Sequence, residues 1–166
     1  MLEMLIAAFI LVIAVIGAYS AFSRIIVATS IISSRLTAAY LAQEGIEIIR
    51  NIRDANWLKG FEWDSGLDIC SSVFGCEADY TTGAVNETTM LRSCMSPMGA
   101  SLNIDAGDFY SYSSGSPTKF KRRIIVTRIT PTATDVVLQV SVLINWEDKG
   151  ESYNFTAEEN LYDWHL

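Results

Sequence analysis

An apolar run opens the chain. From Met4 to Ala18 it reads MLIAAFILVIAVIGA, and no charged side chain occurs between Glu3 and Arg24. Coiled as an α-helix, a stretch of about 20 residues rises about 30 Å, the thickness of a bilayer core. After Arg24 the pattern changes. Ile32, Leu36, Ala39, Ala42, Ile46, Ile49 and Ile52 recur three or four apart, while Glu44, Glu47, Arg50 and Asp54 take the flanking and opposite faces. That is an amphipathic helix with one face to bury. Arg50 is spaced to meet Glu47 or Asp54 on that helix. No proline precedes Pro97, and the only helix-weakening residues in the segment are Gly17 and Gly45. Each costs about 1 kcal/mol relative to alanine. The pattern predicts one helix running to about Asn56, apolar all round over residues 1–23 and amphipathic over 24–57.

Near the other end the period drops to two. Val136, Leu138, Val140, Val142, Ile144 and Trp146 alternate with Gln139, Ser141 and Asn145, as in a strand with one buried face. Asp148-Lys149-Gly150 supplies a tight turn, and a strand carrying Tyr153 and Phe155 follows. Phe120 to Thr130 forms another strand, joined to the central one by Pro131-Thr132-Ala133-Thr134. Residues 119–166 thus predict an antiparallel meander whose apolar face needs a cover, and the helical stripe at 32–52 is the candidate. Residues 58–118 hold the cysteines and many Ser, Thr, Asp and Asn. They read as an irregular connecting region with short strands. The expected fold class is α+β, a long N-terminal helix packed on a C-terminal antiparallel β-sheet.

A length of 166 residues allows one ordinary domain. Half the residues are hydrophobic, and the excess lies before Tyr19. The formal net charge of -7 speaks against non-specific binding of nucleic acid. Lys119, Lys121, Arg122, Arg123 and Arg128 cluster in sequence. Strand alternation should split them between two faces, against acids such as Glu147, Glu151 and Glu158. Glu44 with Glu47 reads as a solvated helix face, and Asp105 with Asp108 as a weak calcium candidate. No metal site and no cofactor is expected. The one histidine, His165, is terminal, and no nucleophile–base pair or phosphate-binding loop can be assembled. The chain is not expected to be an enzyme. Asn86-Glu87-Thr88 and Asn154-Phe155-Thr156 match the glycosylation sequon. Trp57, Trp63, Trp146 and Trp164 are expected as core or interface anchors.

Glu3 is the unusual residue. A carboxylate that reaches the bilayer centre costs about 2.5–3.5 kcal/mol, so an ordinary anchor has no use for one at the edge of its apolar run. A secretory signal peptide fits poorly, because no Lys or Arg precedes the run. Glu3 is expected to meet a positive charge from another chain inside an apolar assembly. With it, Met4, Leu5, Ile6, Phe9, Ile10, Ile13 and Ile16 are the expected assembly residues.

Leu2-Glu3-Met4-Leu5-Ile6-Ala7-Ala8 resembles the L-E-x-L-I-A signature of bacterial type IV prepilins and type II secretion pseudopilins. Tyr40 to Arg53 and the ending from Val140 through Gly150 to Trp164 are similar to one bacterial subgroup of that family. In the family a glycine and a proline often weaken the apolar half of the helix; Val12 and Ser20 stand there in this chain. The resemblance implies a filament subunit, held first in the inner membrane and then packed helix to helix in an extracellular pilus. It also implies processing by a prepilin peptidase, methylation of the new N-terminus, and partners in copies of itself and the assembly machinery. A minor pilin, a pseudopilin and a single-anchor adhesin are the alternatives. For an exported domain in an oxidising place, one disulfide is expected, tying Cys94 to Cys76 or Cys70. A Cys70–Cys76 bridge closes a shorter loop that orders less.

Overall fold

A single helix, α1, runs from Leu2 to Leu58 in the computed structural model, which describes residues 1–71, 73–83, 91–113, 115–130 and 136–163. The helix ends where Gly60 turns left-handed, at φ 73°. The Gly60 amide donates to the Trp57 carbonyl at 3.0 Å and the Phe61 amide to the Asn56 carbonyl at 2.9 Å. This pair of bonds is the Schellman closure, which needs a residue free of Cβ strain at its turning point. The chain divides into two compact units, Met1–Leu36 and Thr37–Leu166.

Unit two contains the sheet. Among the described residues its strands are β1 (Cys76–Glu77), β2 (Arg92–Ser93), β3 (Ala100–Ile104), β4 (Tyr110–Ser111), β5 (Ser116–Ile129), β6 (Val137–Asp148) and β7 (Glu151–Tyr162). All pairings are antiparallel. The meander β5-β6-β7 runs in unbroken register, from Lys121↔Asn145 to Ile129↔Val137 and from Val137↔Tyr162 to Asp148↔Glu151. Its last turn is the two-residue Lys149-Gly150, with φ of 53° and 83°. Two successive positive φ angles define the hairpin turn whose twist matches that of the strands. On its other side β5 is shared. Arg122 pairs with Ala100 of β3, and Ile124 pairs with Cys76 of β1. The connecting region, expected as irregular with short strands, adds those strands to the same sheet.

Burial along β6 follows the expected alternation. Leu138, Val140, Val142, Ile144 and Trp146 are buried, and the intervening residues from Gln139 to Asn145 are half-buried. Ala38, Leu41, Ala42, Ile46, Ile49 and Ile52 of α1 join them in one apolar core. The stripe differs from expectation at its start, since Ile32 and Leu36 are 66% and 55% exposed. Periodicity reports the face of a helix and not where its cover begins. Arg50 meets Glu47 at 2.6 Å and also reaches Glu159 of β7, while Asp54 pairs instead with Arg53 at 2.8 Å. Trp63 and Trp146 are core residues, and the Trp57 indole donates to Asp163 at 3.2 Å. Trp164, His165, the Asn86 sequon and the Pro131–Thr134 link lie outside the described residues.

Candidate functional site

The first unit presents an apolar surface on every side. Met4, Leu5, Ile6, Phe9, Ile10, Ile13 and Ile16 are all exposed. So are Leu11, Val12, Val15, Phe22, Ile25 and Ile26, which complete the circumference and carry it past Arg24. By length and composition this helix could cross a membrane. Two of its hydroxyls are turned back onto the helix backbone. Ser20 Oγ donates to the Gly17 carbonyl at 3.0 Å and Thr29 Oγ1 to the Ile25 carbonyl at 2.9 Å. A hydroxyl bonded back to its own helix needs no partner from outside, so its transfer out of water costs less. Glu3 is exposed in the first turn, where the helix dipole favours a negative charge. The expected assembly residues thus share one helix, and the uncovered surface is wider than the face they define.

The second unit has a buried polar knot that the sequence reading did not anticipate. Arg122 lies on β5, and its side chain is fully buried against α1. Its guanidinium donates to the Leu41 carbonyl at 3.1 Å, to Glu44 Oε2 at 3.0 Å and to the Ala78 carbonyl at 2.6 Å. The Tyr112 ring lies 5.8 Å from the guanidinium carbon. Asp79 belongs to the same cluster, accepting from the Thr81 amide and hydroxyl at 3.0 and 2.6 Å and from the Tyr112 amide at 3.0 Å. Burial pushes the Asp79 carboxyl up, but these bonds and the Arg122 charge hold it net below its ordinary value. Burial pushes the Tyr112 phenol up to about 12. The knot ties helix, loop and sheet together; it contains no activated nucleophile or base.

The basic cluster divides as alternation predicts, though its partners differ. Arg122 faces the core and meets Glu44, Lys119 meets Asp148 at 2.9 Å, and Arg128 meets Asp64. Asp105, the calcium candidate, uses its carboxylate to hold its own turn. It accepts from the Gly107 and Phe109 amides at 2.8 and 3.1 Å, and from the Tyr80 hydroxyl at 2.7 Å. Among the described residues no cluster of His, Cys, Asp and Glu is arranged to hold a metal ion.

The disulfide corrects the expected pairing. Cys70 and Cys76 are bridged, and Cys94 is a buried free thiol. The reason is register. Cys76 faces Ser93 across β1 and β2, so Cys94 falls one step beyond its partner position, with its amide bonded to the Gly75 carbonyl at 3.0 Å. One step along an extended chain turns a side chain to the opposite face. The short turn Leu67–Ser71 meanwhile brings Cys70 to within 4.5 Å of Cys76, measured between Cα atoms, close enough for a bridge. Burial pushes the Cys94 thiol up to about 11, with Glu77 adding to the shift and Arg123 opposing it. Compared with known proteins, the chain matches no family model, no curated protein and no solved structure.

Proposed function

We propose that this chain is a structural subunit of a type IV pilus-like filament, anchored in a membrane by α1 before assembly and packed through the same segment afterwards. One observation carries the proposal. Residues 4–22 form a charge-free stretch of helix that is apolar around its circumference, turns its Ser20 hydroxyl back onto its own backbone, and is exposed along its whole length. Each such side chain contributes about 1.5–3 kcal/mol when buried. Lipid can cover it first, and the helices of neighbouring copies afterwards. Glu3 is the one acidic group in the segment. In a packed apolar fibre its charge needs a partner, and a neighbour's N-terminal amine is a suitable one.

The test is expression of the full chain with a pilus assembly system. Sheared material is then viewed by electron microscopy, and its N-terminus is read by mass spectrometry. Fibres in which this chain is the abundant protein are expected. Glu3→Ala should leave the membrane-held amount unchanged and sharply reduce fibres. A chain that stays in the membrane as monomers would point to a single-anchor adhesin. A chain found only in trace amounts within fibres of another protein would point to a minor pilin or pseudopilin.

A further inference from the structure

The outer face of the meander carries a polar cleft near its closing turn. Lys121 of β5 stands opposite Asn145 of β6, which stands opposite Asn154 of β7. Ser101 flanks Lys121 on the other side, and Glu147 pairs with Ser152 two residues nearer the turn. Alternation places this set on the face opposite the buried Arg122, Ile144 and Trp146. Together they line a cavity of about 270 Å³. Met98 forms part of its wall, and the Asn145 amide donates to the Met98 carbonyl at 3.3 Å, tying that loop to the sheet.

The polar groups here are mostly unused. Among the described residues the side chains of Lys121, Glu147, Asn154, Ser101 and Ser152 make no hydrogen bond or ion pair within the chain, and Asn145 keeps its amide oxygen as an acceptor. The set mixes donors and acceptors in nearly equal measure. An ammonium donates, a carboxylate accepts, and amides and hydroxyls do both. An apolar ligand would strand these groups without partners. A polyanion would face Glu147, with Lys119 already held by Asp148 at 2.9 Å. Vicinal hydroxyls, each a donor and an acceptor, satisfy the whole set. Apolar surface of Met98 also lines the cleft and suits the C–H edges of a sugar ring.

We infer that this cleft binds a neutral saccharide, the sugar hydroxyls lying between Lys121, Asn145, Asn154 and Glu147. The inference does not depend on filament assembly, and either can fail without the other. The test uses the full chain in a zwitterionic, sugar-free detergent, since a glycoside detergent would compete for the cleft. It is applied to an array of neutral and acidic glycans, and the best ligand is then titrated by calorimetry. Binding to neutral glycans, insensitive to added salt, is expected. Lys121→Ala and Asn154→Ala should each weaken it about tenfold. Both side chains lie outside the core, and the two variants are read separately, so a folding failure in one leaves the other decisive. Absence of neutral-glycan binding, preference for acidic glycans, or full affinity in either folded variant would overturn the assignment.

Discussion

Gly45 of α1 and Val142 of β6 approach so closely that a methyl group does not fit between them. A Cβ added to Gly45 would lie 2.9 Å from Cγ1 of Val142 and 3.2 Å from Cγ2. The helix gives up about 1 kcal/mol of propensity at this glycine, and in return its backbone comes down onto the sheet. Gly45→Ala recovers that propensity but overpacks a buried branched side chain, at a cost of about 1–3 kcal/mol. A modest net loss of stability is expected in urea unfolding. The paired change Val142→Ala should relieve the clash, so that the double variant is more stable than the two single effects added together. Simple additivity would show that the close approach is not a constraint.

Arg122 is the second point where helix and sheet are joined. Removing it strands the Leu41 and Ala78 carbonyls from a donor and leaves a void in the core. Arg122→Ala should destabilise unit two by about 2–5 kcal/mol, as expected for truncating a large buried side chain and taking a donor from buried carbonyls. Glu44 is partly exposed, so water can replace it, and Glu44→Gln should cost far less. Equal losses from the two variants would mean that the ion pair dominates and the carbonyl bonds do not matter. Denaturant midpoints measure both.

The cysteines predict a chemical result. Peptide mapping without reductant should find Cys70 joined to Cys76 and Cys94 free. Native Cys94 should resist alkylation at neutral pH, because it is buried and its thiol is pushed up to about 11. After unfolding it should react. Replacing Cys70 and Cys76 by serine should cost about 2 kcal/mol, a value suited to a short closed loop. A Cys94 bridge in the native chain would sink this account.

The same thiol sets a dependence on alkaline pH. The folded state keeps the Cys94 proton where an unfolded chain, titrating near 9.0, releases it. The stabilising contribution is therefore complete below pH 9 and is lost as pH rises to about 11. Tyr112, raised from 10.0 to about 12, acts in the same direction at slightly higher pH. The stability gap between the native chain and Cys94→Ala should narrow across that range. A gap that stays constant with pH would show that Cys94 is not shifted.

Truncation separates the two units. Removing residues 1–36 takes away Ile25, Ile26, Ile32 and Leu36 together with the apolar run, and leaves the core that begins at Ala38. That product should be a monomer by light scattering, with the circular dichroism of a sheet domain. Removing only residues 1–23 leaves those four side chains exposed, and some self-association should persist. An unfolded product from the longer deletion would mean that the first unit is needed to fold the second.

Much of this architecture was legible in the residues alone, because periodicity is a local property. The 3.6-residue stripe of α1, the two-residue alternation from Val136 to Trp146 and the Lys149-Gly150 turn each lie within one short segment. Side-chain direction along a helix or strand follows from backbone geometry. The apolar run after Glu3 likewise needs no partner to be recognised, and its uncovered state follows from its having no polar face to turn outward. What joins distant segments was not legible. Arg122 read as one of five basic residues split between two faces and paired with strand acids, because nothing local says that Leu41, Glu44 and Ala78 converge on it. Cys94 was assigned a bridge from loop length, which ignores the one-residue register that separates it from Cys76. The cleft at Lys121, Asn145 and Asn154 exists only once three strands lie side by side. The sequence determined the elements and the faces they bury. Tertiary structure decided which cysteines meet, which charge is buried and which polar groups are left without partners, since these depend on residues far apart in the chain.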